Sequence, residues 1–143
     1  MTMRVVFVIL GLSIGFILNG CNTPVPELAY NGTIPSKYGY SEDLVSDYSD
    51  RLAERLGYGS ARLVGIENHR IPPNCFFFIG EGNGITVGVT GFGFDHSITV
   101  RIQGSYKSNQ AVDAGRIARE LFAEMFSPAT MERFIRKQGF PGV

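Results

Sequence analysis

Four side chains of the 143-residue sequence have the types from which a thiol-based or hydrolytic site could be built: Cys75, His69, His96 and Asp95. Catalysis by cysteine needs the thiolate, which a nearby cation or histidine must stabilise. Cys75 is followed by three phenylalanines, with no cation close in sequence, which is typical of a buried apolar thiol. Asp95 and His96 are adjacent, so in a strand they would point to opposite faces. We expect no catalytic residues; a small enzyme using Cys75 is an alternative.

The two histidines do not lie in a metal-binding pattern. A zinc site takes three or four ligands at short spacing, and the sequence has no H-x-x-x-H motif and no paired cysteines. The glycine-rich stretch 80–84 (GEGNG) lacks the G-x-G-x-x-G spacing of phosphate loops and precedes a predicted strand rather than a helix. The sequence therefore predicts neither a metal ion nor another cofactor.

The N-terminal segment has the features of an export signal. Arg4 is followed by an uncharged run of 14 residues, 5–18, shorter than the roughly 20 residues that span a bilayer. The run ends in Leu18-Asn19-Gly20-Cys21, which resembles the lipobox of bacterial lipoproteins. The resemblance implies that 1–20 is a signal peptide cleaved after Gly20. It also implies that Cys21 is acylated, so that the lipid bilayer is one partner.

Cys21 is followed by Asn22 rather than Asp. By the sorting rule of enterobacterial lipoproteins, this implies an outer-membrane location, with the domain facing the periplasm. Acyl chains in pairs make such anchoring effectively permanent. The whole sequence has 13 basic and 13 acidic side chains, and this balance argues against nucleic acid as a partner.

Residues 21–40 are predicted to be the lipidated N-terminus and a tether, because three prolines interrupt regular structure and Asn31-Gly32 favours a turn. Residues 41–143 are predicted to form a single domain. Ser41 is a favourable N-cap for a first helix, which the glycines at 57 and 59 end. One apolar stripe runs along this helix at spacings of about four residues: Leu44, Tyr48, Leu52 and Leu56.

Asn83-Gly84 predicts a two-residue turn that joins strands at 75–80 and 85–92. An unbroken register from this turn places Phe76 and Phe78 in the core, together with Ile85, Val87 and Val89. The second face then carries Cys75, Phe77, Ile79, Thr86, Thr90 and Phe92. Further strands are predicted at 62–67 and 98–103, the latter with Ile98, Val100 and Ile102 facing inwards.

The C-terminal part predicts two more helices. One begins after Ser108 or Asn109 and runs to about Phe126; the other begins with Ser127 as N-cap and Pro128 at its first position. The fold class is therefore α+β. We expect a small antiparallel sheet of three or four strands, with the N-terminal helix and the two C-terminal helices packed on one face.

The second sheet face is either covered by other parts of the chain or forms a binding surface made of Phe77, Ile79, Phe92 and Arg101. An anchor without a catalytic motif favours a non-enzymatic envelope lipoprotein that serves as a binding or assembly module for another envelope protein. A periplasmic inhibitor or immunity lipoprotein is the main alternative, because such proteins are also small, anchored and without catalytic residues.

Overall fold

The computed structural model describes residues 26–67, 69 and 72–136. The predicted signal peptide and Cys21 lie outside the described residues. The elements in chain order are β1 (Glu27–Thr33), a short 3-10 helix (Ser36–Tyr38), α1 (Glu42–Arg55), β2 (Arg62–Glu67), β3 (Asn74–Gly82), β4 (Ile85–Phe92), β5 (Ser97–Gln103), α2 (Asn109–Met125) and β6 (Glu132–Arg136). The strands form one antiparallel sheet in the order β2-β3-β4-β5-β1-β6. The α+β class is confirmed, and the sheet has six strands rather than three or four.

Strand β1 lies within the segment that was predicted to be a tether. It pairs with β5 on one side, from Glu27 opposite Gln103 to Thr33 opposite Ser97, and with β6 on the other side. Pro26 precedes the strand and Pro35 follows it, so neither proline removes a hydrogen bond from the ladder. The folded domain therefore begins by Glu27 rather than at residue 41, which corrects the predicted boundary.

The predicted third helix is instead the edge strand β6. Met131, Phe134 and Ile135 have the i, i+3, i+4 spacing of one helical face, which is why the sequence predicts a helix here. Pairing decides the conformation, because β1 offers an edge on which Phe134 lies opposite Ala29 and Ile135 opposite Leu28. Tertiary hydrogen bonding of this kind overrides a short local preference.

The other two helices begin where the sequence predicted. The Ser41 hydroxyl accepts a hydrogen bond from the Leu44 N–H at 3.1 Å, and the Ser108 hydroxyl accepts one from the Ala111 N–H at 3.1 Å. Both helices cover one face of the sheet. They are also joined to each other, because the buried Tyr48 hydroxyl of α1 donates to a carbonyl of α2 at 2.7 Å.

A β-bulge in β3 reverses the predicted faces of that strand. The pairs next to the turn are as predicted, with Gly80 opposite Val87, but the register shifts between Phe78 and Gly80. Phe78 then lies opposite Gly88, and Phe77 opposite Val89. The extra residue of a bulge changes the direction of every side chain beyond it. The placement of Phe76 and Phe78 in the core was therefore wrong, and Cys75, Phe77 and Ile79 occupy that core instead.

Within the described residues, α1 and α2 lie on one side of the sheet, and we call the opposite side the helix-free face. Its central strands carry polar side chains, among which the Asn31 amide donates to the Thr99 hydroxyl at 2.6 Å. Arg101 and Glu27 form an ion pair of 3.9 Å on this face, and both side chains are buried. Burial of an ion pair has a large desolvation cost, so this pair is not evidence of a large gain in stability.

Candidate functional site

The two ends of the sheet differ in what they carry. At one end Pro26 accepts a hydrogen bond from the Gly104 N–H at 2.9 Å, just before Glu27 pairs with Gln103. At the other end Thr33 pairs with Ser97, and β4 turns into β5. We call residues 93–96 of this connection the distal turn. The Pro26 end and the distal turn are thus separated by the full length of β1, about 20 Å for a seven-residue strand.

The distal turn presents Phe94 to solvent. Its side chain is 91% exposed, whereas the other exposed large apolar side chains among the described residues reach at most 51%, at Val112. An exposed phenylalanine in a tight turn adds nothing to the core, and the tip of a rigid hairpin is a common position for a binding residue.

Four contacts fix the backbone around Phe94. The Gly93 N–H donates to the Asn74 side-chain oxygen at 2.8 Å, and the Ser97 hydroxyl donates to Asp95 Oδ1 at 2.7 Å. The His96 carbonyl accepts from the Ile34 N–H at 2.8 Å. His96 has a φ of 55°, in the left-handed region that closes a turn, and its ring stacks on the Tyr40 ring at 5.6 Å. The turn is therefore held to β3, to β5, to Ile34 just after β1 and to the segment before α1.

Tyr40 connects the distal turn to Cys75. The Tyr40 hydroxyl donates to the Pro73 carbonyl at 2.9 Å and lies 3.7 Å from the Cys75 sulfur. Burial raises the pKa of Tyr40 above its ordinary value, and the nearby Cys75, Asp95 and Glu42 act in the same direction. Two carboxylates thus lie close enough to this tyrosine to affect its ionisation.

Cys75 itself lies in a site that opposes thiol chemistry. Its side chain is fully buried, and burial raises the pKa of the thiol to about 11, although hydrogen bonding with the Tyr40 hydroxyl and with the Gly91 backbone acts in the opposite direction. A nucleophilic cysteine needs the opposite shift and an accessible sulfur. Tyr40 contacts both members of a conceivable Cys75–His96 catalytic pair: its hydroxyl lies near the Cys75 sulfur, and its ring stacks on the His96 ring. His69 lies exposed in the turn between β2 and β3.

Two shallow clefts open near the same end of the sheet. One, of about 330 Å³, lies where β1 and β6 begin to separate, and it is lined by Asn31, Thr33, Ala129, Thr130 and Glu132. The other, of about 350 Å³, lies between the start of α1 and the end of α2, and it is lined by Tyr38, Leu44, Asp47, Arg51, Glu124, Met125 and Phe126. Neither is a deep apolar pocket of the kind that encloses a small ligand.

The structure separates the four residues that the sequence grouped as a binding surface. Phe77 and Ile79 are 6% and 2% exposed, in the core on the helix-covered face. Phe92 and Arg101 lie together on the helix-free face, with the guanidinium 6.0 Å from the ring centre. The four cannot form one surface, because the bulge in β3 turns the first two away. A binding role for Phe92 and Arg101 stays a prediction.

The strands predicted at 85–92 and 98–103 imply a connection between them, but sequence reasoning did not single out Phe94. A usable signal was present: an aromatic residue flanked by Gly93 and Asp95 continues neither the alternation of β4 nor that of β5.

Within the described ranges, no group of three or more potential metal ligands comes together. No helix in that part of the chain has the length and hydropathy of a membrane span.

Comparison of the chain with protein-family models, with curated proteins and with solved structures finds no match.

Proposed function

We propose that the protein is an outer-membrane lipoprotein, held by acylated Cys21, whose domain binds another envelope protein with the end of the sheet that carries the distal turn. The observation that carries this proposal is the position of the exposed Phe94 at the end of the sheet opposite Pro26. In this arrangement the lipid anchor and the protein-binding end lie at opposite ends of one domain. Such an arrangement suits a membrane-bound docking module, because the anchor does not obstruct the binding surface.

Chain length supports this orientation. Glu27 is six residues after Cys21, and six residues extend to at most about 20 Å. An acylated Cys21 would therefore hold the Pro26 end close to the bilayer, and β1 would carry the distal turn a further 20 Å or so outwards. This short connection differs from the long, loose tether that the prolines suggested, and it restricts the orientations available to the domain.

The properties of Cys75 support a non-enzymatic role. The thiol is fully buried and its pKa is raised to about 11, so the thiolate that a cysteine enzyme needs is a minor species at neutral pH. The proposed binding of another envelope protein needs no reactive group. It uses a rigid surface with an exposed aromatic side chain, which is the kind of feature that contributes most to protein–protein affinity.

The anchor is tested with the two cysteines as a matched pair. Cys21→Ser and Cys75→Ala are expressed from the full-length chain and labelled with radioactive palmitate, and the membranes are separated on a density gradient. We expect the wild-type protein and Cys75→Ala to carry label in the outer-membrane fraction and Cys21→Ser to carry none. A Cys21→Ser protein that is still acylated and membrane-bound would refute the lipoprotein assignment.

A further inference from the structure

We propose that Phe94 inserts into an apolar pocket with a basic rim on the partner protein. This inference rests on the proposed function and names the chemistry of the surface that the protein binds. It concerns the distal turn alone, so it can fail while the wider proposal stands.

Exposure and rigidity together single out Phe94. Its side chain is almost fully solvated, and no other described apolar residue of its size approaches this exposure. The turn around it is already fixed by the contacts of Gly93, Asp95 and His96 with β3, β5 and the Ile34 backbone. The backbone of a preorganised turn loses little conformational entropy on binding, which raises the affinity that one aromatic side chain can give when it becomes buried.

The neighbouring charges indicate the rim of the pocket. Asp95 is part of the turn and adjacent to Phe94, and Glu42 is two residues after Tyr40, whose ring stacks on His96. One carboxylate therefore lies in the turn, and a second follows closely in the chain after the tyrosine that contacts it. Lysine or arginine side chains around the partner's pocket would complement these carboxylates and accelerate association. The same carboxylates would repel a partner whose pocket has an acidic rim.

The same charges argue against two other occupants. An anionic bilayer surface repels carboxylates, and the proposed anchor lies at the opposite end of the sheet. A second copy of this chain would bring one acidic turn towards another if it bound with the same end. A separate protein with a basic surface is the occupant that the exposed ring and the carboxylates both favour.

The test uses the full-length, acylated protein in its own cells, with the photocrosslinking residue p-benzoylphenylalanine in place of Phe94. The matched control carries it in place of Val112, which is half exposed on α2, and a scan places it at further exposed positions around the domain. Asp95→Asn, which keeps the oxygen that accepts from Ser97, and Glu42→Lys are added to the position-94 variant. Asp113→Lys on α2 is the control for charge.

We expect an adduct with one envelope protein at position 94 and none at position 112. The adduct should weaken with Asp95→Asn and Glu42→Lys but not with Asp113→Lys. Mass spectrometry should map it to apolar residues bordered by lysine or arginine. With that protein purified, Phe94→Ala should raise Kd by about 30-fold or more, with an unchanged melting temperature, because the side chain is outside the core.

Other results would overturn the inference. Adducts with lipid, with a second copy of the chain or with a pocket lacking basic residues would each do so, as would adducts with an envelope protein at other positions but not at 94. Adducts nowhere on the domain would instead refute the proposed binding function itself, so the two failures are distinguishable.

Discussion

Phe77 and Phe78 are adjacent in β3, but their side chains lie on opposite faces of the sheet. Phe77 is 6% exposed on the helix-covered face, where it lies opposite the buried Val89. Phe78 is partly exposed on the helix-free face, with the Arg62 guanidinium 5.1 Å from its ring centre. Two identical side chains in adjacent positions thus belong to a core and to a surface. The difference shows that backbone register, rather than residue type, assigns the faces of this sheet.

Truncation of the two phenylalanines tests this comparison most strongly. Phe77→Ala should lower the free energy of unfolding by about 3–5 kcal/mol, because it leaves a cavity in the core. Phe78→Ala should lower it by about 1–2 kcal/mol, since its ring is partly solvated already. Urea denaturation of both variants measures the two values. A larger loss for Phe78→Ala would contradict the bulge and restore the unbroken register.

The buried thiol on the helix-covered face should give stability a pH dependence of its own. Burial raises the Cys75 pKa from an ordinary value near 9 to about 11. The folded state therefore keeps the proton that the unfolded chain releases, so stability is complete below about pH 9 and decreases as the pH rises towards 11. The two pKa units correspond to about 3 kcal/mol.

Urea titrations from pH 8 to 11 on the wild-type protein and on Cys75→Ala check this expectation. Both proteins keep Tyr48, whose pKa burial raises, so its contribution cancels in the difference between the two curves. Cys75 also raises the pKa of the half-buried Tyr40, so the difference reports the thiol together with that coupling. Parallel curves would mean that Cys75 is accessible to solvent in the folded protein, and would weaken the contrast between the two faces.

Exchange of hydroxyl and methyl groups on β5 gives the smallest and most local test. Val100 is buried on the helix-covered face, and Val100→Thr should cost about 2 kcal/mol because its hydroxyl enters apolar surroundings. Thr99→Val should cost about 1 kcal/mol, since the Asn31 amide loses the acceptor that lies 2.6 Å away. Thermal unfolding ranks the pair, and an equal or reversed order would argue against the assignment of the two faces.

The sequence correctly predicts the helix starts and the hairpin turn, because a few adjacent residues determine each of them. Ser41 and Ser108 cap their helices as predicted, and Asn83-Gly84 forms the turn between β3 and β4. The alternation in β5 also assigns the correct faces, with Ile98 buried against the helices. Each of these features depends on a few adjacent residues, so a single sequence contains the necessary information.

The features that were missed depend on contacts between distant residues. Gly80 adjoins the bulge at Ile79, but a glycine in a strand does not by itself fix where the register shifts, and one inserted residue was enough to exchange the faces of β3. Strands β1 and β6 were read as tether and helix, because their short segments become strands only through pairing with each other and with β5. The predicted binding surface included Phe77 and Ile79 because of the same register error. The break in alternation at Phe94 could indicate a residue outside the strands, but the extent of its exposure depends on the fold.

The position of β1 also sets an order of events for the growing chain. The first strand to be made pairs with β5, some 70 residues later, and with β6, which ends at Arg136. The middle strands β2 to β4 are joined to one another by neighbouring segments and can assemble earlier. If the chain crosses a membrane N-terminus first, as the signal peptide predicted for residues 1–20 implies, the sheet cannot close until β6, which ends at Arg136, has emerged. Until then β1 remains an unpaired strand, and its apolar residues Leu28 and Tyr30 need protection from aggregation.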